Sequence, residues 1–114
     1  MGRNAVVAGT GYRNFNGFSR ASIIRKYAQE GRAITLRREP KNKHDNNAVA
    51  VYIVVPILFG LLGSLQKKIG YLKASLAKTI SSRMDKGEEI KGSIDSFYAP
   101  LEKKHPRVTI HLDY

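Results

Sequence analysis

Cysteine and tryptophan are missing from the 114-residue chain, and acidic residues are scarce. The absence of cysteine excludes a disulfide framework, a thiolate metal site and a thiol nucleophile, and it fits the reducing cytoplasm. Long hydrophobic runs are lacking too. The longest, residues 54–62, is broken by Pro56 and Gly60 and is far too short to span a bilayer. No initial stretch has the charged start, apolar run and small-residue cleavage site of a secretory signal, so a cytoplasmic protein with no membrane partner is expected.

The shortage of acids has two consequences. Nine Asp and Glu against twenty Lys and Arg give a net charge of +11 and a pI near 10.1. A small domain this basic is suited to a polyanion, most often nucleic acid. A metal-dependent nuclease, by contrast, needs several convergent carboxylates, and the acids here are few and scattered. The three histidines, at 44, 105 and 111, form no i, i+4 pair. There is no Ser-His-Asp spacing and no phosphate-cradling glycine loop followed by lysine. The chain therefore reads as a non-enzyme that needs no cofactor and no metal.

What is present is a globular pattern, with 42% hydrophobic residues and enough length for one core. Residues 4–10 read as a first strand. A glycine-punctuated loop follows, carrying Tyr12, Arg13, Phe15 and Phe18. Tyr12 beside Arg13 can stack on a base while the guanidinium holds phosphate, whereas Phe15 and Phe18 read as caps on the core. Ile23, Ile24, Tyr27 and Ala28 have helical spacing over residues 19–30. Ser19 can cap this helix and Gly31 can end it, with Arg20, Arg25 and Lys26 on the outer face.

A strand around Ile34 and Leu36 breaks at Glu39-Pro40, where proline fixes φ and removes a donor. Seven polar residues, 41–47, include the chain's only adjacent His-Asp pair. The next strand, 48–55, sets Val49, Val51 and Ile53 on one face and Ala48, Ala50 and Tyr52 on the other. Residues 54–63 then form an apolar insertion. It reads first as a cover for an open end of the sheet, and otherwise as an exposed patch that contacts a protein partner or a second copy.

Residues 67–72 form a short strand with an internal glycine, a place where another backbone or a ligand comes close. A helix over 73–85 buries Leu76, Ala77, Ile80 and Met84. Strands over 88–98 and 107–112 complete an α+β, β-dominated single domain, a small barrel-like sheet of about six strands with two helices.

The run Glu39-Pro40-x-Asn42-x-x-Asp45-x-Asn47-Ala48-x-x-Val51, followed by Ile69-Gly70-Tyr71-Leu72 and a helix, resembles the HIRAN domain family. The likeness extends from Val6 to about Tyr98. It implies an OB-like barrel with added helices, of the kind found fused to SWI/SNF-type helicases or standing alone in bacteria. It further implies binding of single-stranded DNA at a 3′ end, in the setting of stalled replication forks and DNA repair.

Carried over by position, the resemblance makes Tyr12 a ring flanking the terminal nucleotide. His44 and Asp45 take the place of an aromatic followed by an aspartate that accepts from the 3′-hydroxyl. Tyr71 is a ring near base or backbone, Lys73 a phosphate partner and Phe97 a further stacking surface. Lys43 stands where the family usually has proline, and His44 where it often has tyrosine; imidazole offers less area for stacking. The Tyr12-Arg13 order also departs from the basic-aromatic order of some members. Turn formation alone would account for Asp45 and Asn47, and Asn47 is assigned to it. A core position alone would account for Tyr71. The rivals to end recognition are a nonspecific basic nucleic-acid binder and a protein-interaction module acting through 54–63.

Overall fold

Alternating apolar residues and two amphipathic helical stretches assemble around one core. The computed structural model describes residues 2–102 and 104–114. In chain order the elements are β1 (Gly2–Val6), α1 (Arg20–Tyr27), β2 (Ala33–Arg38), β3 (Val49–Pro56), β4 (Ser64–Tyr71), α2 (Ala74–Asp85), β5 (Lys91–Tyr98) and β6 (Arg107–Asp113). A 3-10 turn, Leu58–Gly60, lies between β3 and β4. The six strands form one antiparallel sheet in the order β1-β6-β5-β2-β3-β4.

Two bulges, at Val51/Tyr52 between β3 and β4 and at Ile94/Ser96 between β5 and β6, bend the sheet on itself. The ladder does not close into a full barrel. Its edge strands β1 and β4 are spanned at one end by a single bridge, in which the Ala8 and Tyr71 N–H groups each donate to the other's carbonyl at 2.8 and 2.9 Å. Gly70 makes this seam possible, because a Cβ there would run into the Ala8 carbonyl oxygen and the Val7 side chain. The glycine inside the strand thus marks a close backbone approach, as its position suggests.

Strand alternation sends Val49, Val51, Ile53, Ile69, Ile94, Val108, Ile110 and Leu112 inward, and all are essentially inaccessible to solvent. Helix α1 adds Ile23 and Ile24, and α2 adds Leu76, Ala77 and Ile80. The Ser19 hydroxyl caps α1 by accepting from the Ser22 N–H. No helix among the described residues is long and apolar enough to cross a membrane.

Several expectations need correction. Helix α1 stops at Tyr27 because Ala28 is already extended, so Gly31 belongs to the following turn and not to the cap. Arg20 is not on the outer face but buried, at 8% exposure. Phe15 and Phe18 do not cap the core. Their loop closes on itself, with the Asn14 N–H donating to the Phe18 carbonyl and the Gly17 N–H to that of Asn14, and both rings face solvent. Nor does the apolar insertion cover the sheet. Strands β3 and β4 run on through Val55↔Leu65 and Pro56↔Ser64, and the turn beyond them folds on its own backbone. Leu58, Phe59, Leu61 and Leu62 are left exposed, and Leu58 and Phe59 adopt positive φ (48° and 56°). Strand β5 begins at Lys91, since Gly87 and Glu88 still bond back to α2.

Candidate nucleic-acid interface

Beside the Ala8–Tyr71 seam lies a cleft of about 580 Å³, and it gathers residues from four parts of the chain. Tyr12 and Arg13 come from the loop after β1, and Arg20 from the first turn of α1. His44 and Asp45 come from the β2–β3 loop, and Tyr71 from the end of β4. Five of the seven residues singled out from the sequence therefore share one wall or another of this cleft. Lys73 caps α2 between Leu72 and Ala74, both of which line the cleft. Phe97 does not join them: it lies on β5 opposite Val108, away from the cleft lining.

Local hydrogen bonds shape the polar loop. Asn42 Oδ1 accepts from the His44 and Asp45 N–H groups (2.9 and 3.3 Å), and Asp45 Oδ1 accepts from the Asn47 N–H (2.8 Å). Asp45 is thus itself the turn-former, with Asn47 supplying only its backbone donor. One carboxylate oxygen builds the turn; the other, Oδ2, has no hydrogen bond among the described residues. Arg38 fastens the loop from behind, donating to the Asn46 and Ala48 carbonyls and pairing with Asp85 at 3.0 Å. That pairing holds the Asp85 carboxyl below its usual range. His44 is exposed at the cleft rim.

The ring of Tyr71 is fixed from two sides. Its hydroxyl donates to Glu39 Oε1 and accepts from Lys68 Nζ, both at 2.8 Å. Lys68 also pairs with Glu39 Oε2 at 2.7 Å, and Asn42 Nδ2 donates to Oε1. Burial by itself would raise the Glu39 carboxyl, but hydrogen bonds from Lys68, Tyr71 and Asn42 and the nearby ammonium hold it below its usual value. Lys68 is raised on balance: burial opposes its charge, while its bonds to Glu39 and Tyr71 outweigh that. The tyrosine is therefore a rigid wall of the cleft and not a core side chain.

Across the ring stands Arg20, its guanidinium 5.2 Å from the Tyr71 centroid. Nη1 donates to the Gly9 carbonyl (2.8 Å) and Nε to Asn14 Oδ1 (2.9 Å). Among the described residues no carboxylate pairs with this buried cation. Arg13 is more exposed and spends one nitrogen on the Gly17 carbonyl of its own loop. The cleft thus combines aromatic faces, a positive wall and one carboxylate. Among the described residues no group of three or more His, Asp or Glu could hold a metal ion.

Sequence reasoning missed Arg20, Glu39 and Lys68 as parts of this site. For Arg20 a signal existed: Arg20, Ile23, Ile24 and Tyr27 fall at i, i+3, i+4 and i+7, which places the arginine on the buried face. The Glu39–Lys68 pair has no local signal.

A family model for the HIRAN domain matches residues 4–104 of the chain. In structure the chain is similar to the HIRAN domain of human HLTF, with a TM-score of 0.64 at 18% identity over 97% of this chain and 72% of that one. It is also similar to a protein from Lactobacillus plantarum, with a TM-score of 0.61 at 20% identity over 100% of both chains. At these identities the likenesses establish a shared fold. No curated protein matches the chain in sequence.

Proposed function

The chain belongs to the HIRAN domain family, and from that premise we propose that it is a non-catalytic nucleic-acid-binding domain whose cleft receives the 3′-hydroxyl end of single-stranded DNA. The observation that carries this reading is the convergence of Tyr12, His44, Asp45 and Tyr71 on one cleft, beside a buried arginine that no carboxylate among the described residues neutralises. The terminal base stacks against the exposed Tyr12 and His44 rings, each such contact contributing ~1–3 kcal/mol. Arg20 and Tyr71 face the backbone, and Arg13 and Lys73 neutralise phosphates at the rim. Asp45 Oδ2 accepts from the 3′-hydroxyl. The same oxygen repels a 3′-phosphate, so end selectivity follows from charge.

Fluorescence anisotropy with a ten-nucleotide strand labelled at its 5′ end tests this reading. Three ends are compared: 3′-hydroxyl, 3′-phosphate and a 3′ end buried in duplex. The free hydroxyl should bind about tenfold tighter than the phosphate, consistent with one like-charge contact in a half-open site. Asp45→Asn keeps the turn oxygen and puts an uncharged amide N–H, a donor to either end, where Oδ2 stood, so it should erase the discrimination at no more than a few-fold cost in affinity for the hydroxyl end. Equal binding of all three ends by the wild type would sink the end-reading assignment and leave a nonspecific basic binder.

A further inference from the structure

A second hollow, of about 330 Å³, lies between the loop of residues 14–18 and the outer side of β4. Its rim carries Phe15, wholly exposed, and Phe18, largely exposed. Its floor includes Tyr52, with the Arg37 guanidinium stacked 4.4 Å from that ring's centroid. Lys67 and Lys68 line its β4 side, and no acidic residue lines it. Two solvent-facing phenylalanines within four residues are costly on a domain of this size unless they meet something.

They are also held in place. Beyond the two backbone bonds that close the loop, Asn16 Oδ1 accepts from the Phe18 N–H at 3.1 Å, and Arg13 ties to the Gly17 carbonyl. The rings are presented on a preorganised turn and lose little freedom on binding.

The hollow lies beside the cleft, and Asn14 ties the two together. Asn14 accepts from Arg20 in the cleft through Oδ1, while its Nδ2 donates to the Lys68 carbonyl in the hollow at 2.9 Å. The Lys68 side chain reaches Glu39 and Tyr71, although its backbone belongs to the hollow. From Tyr71 to Lys68 is three strand residues, about 10 Å.

Resting on the reading of the cleft as the seat of a strand end, we propose that this hollow receives the unpaired bases preceding the terminal nucleotide. Phe15 and Phe18 supply stacking faces, and Lys67 sits near the passing phosphates. The amide nitrogens of Asn16 and Gln66 offer donors to base edges, while their oxygens already accept from the Phe18 N–H and from Thr35 and Arg37. Aromatic faces, cations and amides without a carboxylate match a single strand, whose every base has a π-face and whose backbone is anionic.

The test uses 5′-labelled oligothymidines of two, four, six and ten nucleotides, each with a 3′-hydroxyl and a 3′-phosphate version. Wild-type affinity should climb about tenfold or more between two and six nucleotides and then level off. Phe15→Ala/Phe18→Ala should flatten that climb while keeping the wild-type dinucleotide affinity and the wild-type ratio between the two ends. Both rings are exposed, so the variant should fold normally. An unaltered climb in the double variant overturns the proposal, as does a wild-type affinity that is flat with length. Loss of the climb in a protein that ignores end chemistry upholds the hollow and overturns only the end reading. Failure of the wild type to bind any of these strands overturns both.

Discussion

Glu39 receives hydrogen bonds from Lys68, Tyr71 and Asn42, so one carboxylate positions the tyrosine that walls the cleft. Its pKa is lowered from the ordinary value of 4.5, which means its contribution to stability is present above that pH and is lost as the pH falls through the lowered value. Lys68 is raised from 10.5, so its share is present up to that pH and fades only in stronger alkali. Between these limits the pair gives a plateau. Glu39→Gln should lower unfolding stability by ~1 kcal/mol at neutral pH, the scale of a charge-assisted hydrogen bond partly screened by water. In urea denaturation the deficit should shrink when the pH is taken from neutral into acid, through the lowered value at which the wild-type carboxyl takes up its own proton. An equal deficit at both pH values would remove the ion pair as its cause. Asp45 and Tyr71 were visible in the sequence because a compact motif surrounds each. The Glu39–Tyr71 bond was not: 32 positions separate its ends, and it takes the pairing of β2 with β3 and of β3 with β4 to bring them together.

At the level of elements, residue patterns located all six strands and both helices: small and β-branched residues marked the first strand, placed over 4–10 where it runs Gly2–Val6, alternation most of the others and helical spacing the helices. What they missed were ends and turns. There the outcome depends on hydrogen bonds that any residue can make, as where Glu88 bonds back to Arg83 and delays β5. The hydrophobicity of the tip between β3 and β4 suggests burial, whereas two extra strand pairs carry it beyond the body of the sheet. Gly70 shows how an element can hinge on one atom. Gly70→Ala would push a methyl carbon against the Ala8 carbonyl and pry β4 from the segment after β1. The expected loss is roughly 2 kcal/mol, on the order of 10 °C in Tm. Calorimetry should register this, and 3′-end binding should weaken with it, since the seam forms one side of the cleft. An unchanged Tm would mean that the seam yields without cost.

For the whole molecule the decisive quantity is charge. With +11 spread over 114 residues, a single strand bound as proposed would displace counterions at each phosphate it brings near lysine or arginine. Three to four such contacts should give a slope of about −2 to −3 in log affinity against log salt. Lys73→Ala should reduce the magnitude of that slope by about 0.7 without altering the preference between ends. Affinity that ignores salt between 50 and 200 mM, the span over which such contacts respond strongly, would separate the basic surface from the binding event.

Strand β1 pairs along β6, with Gly2 opposite Asp113 and Arg3 opposite Leu112. The first and last strands are thus neighbours, and a short linker can join them without crossing the sheet. The β3–β4 tip lies at the other end of β4 from Tyr71, about 23 Å away along the strand. A circular permutant opened at Gly60 and sealed between residues 113 and 2 would keep the strand order and both halves of the seam intact. The linear order in which a ribosome delivers the elements is then separable from the architecture that forms the cleft.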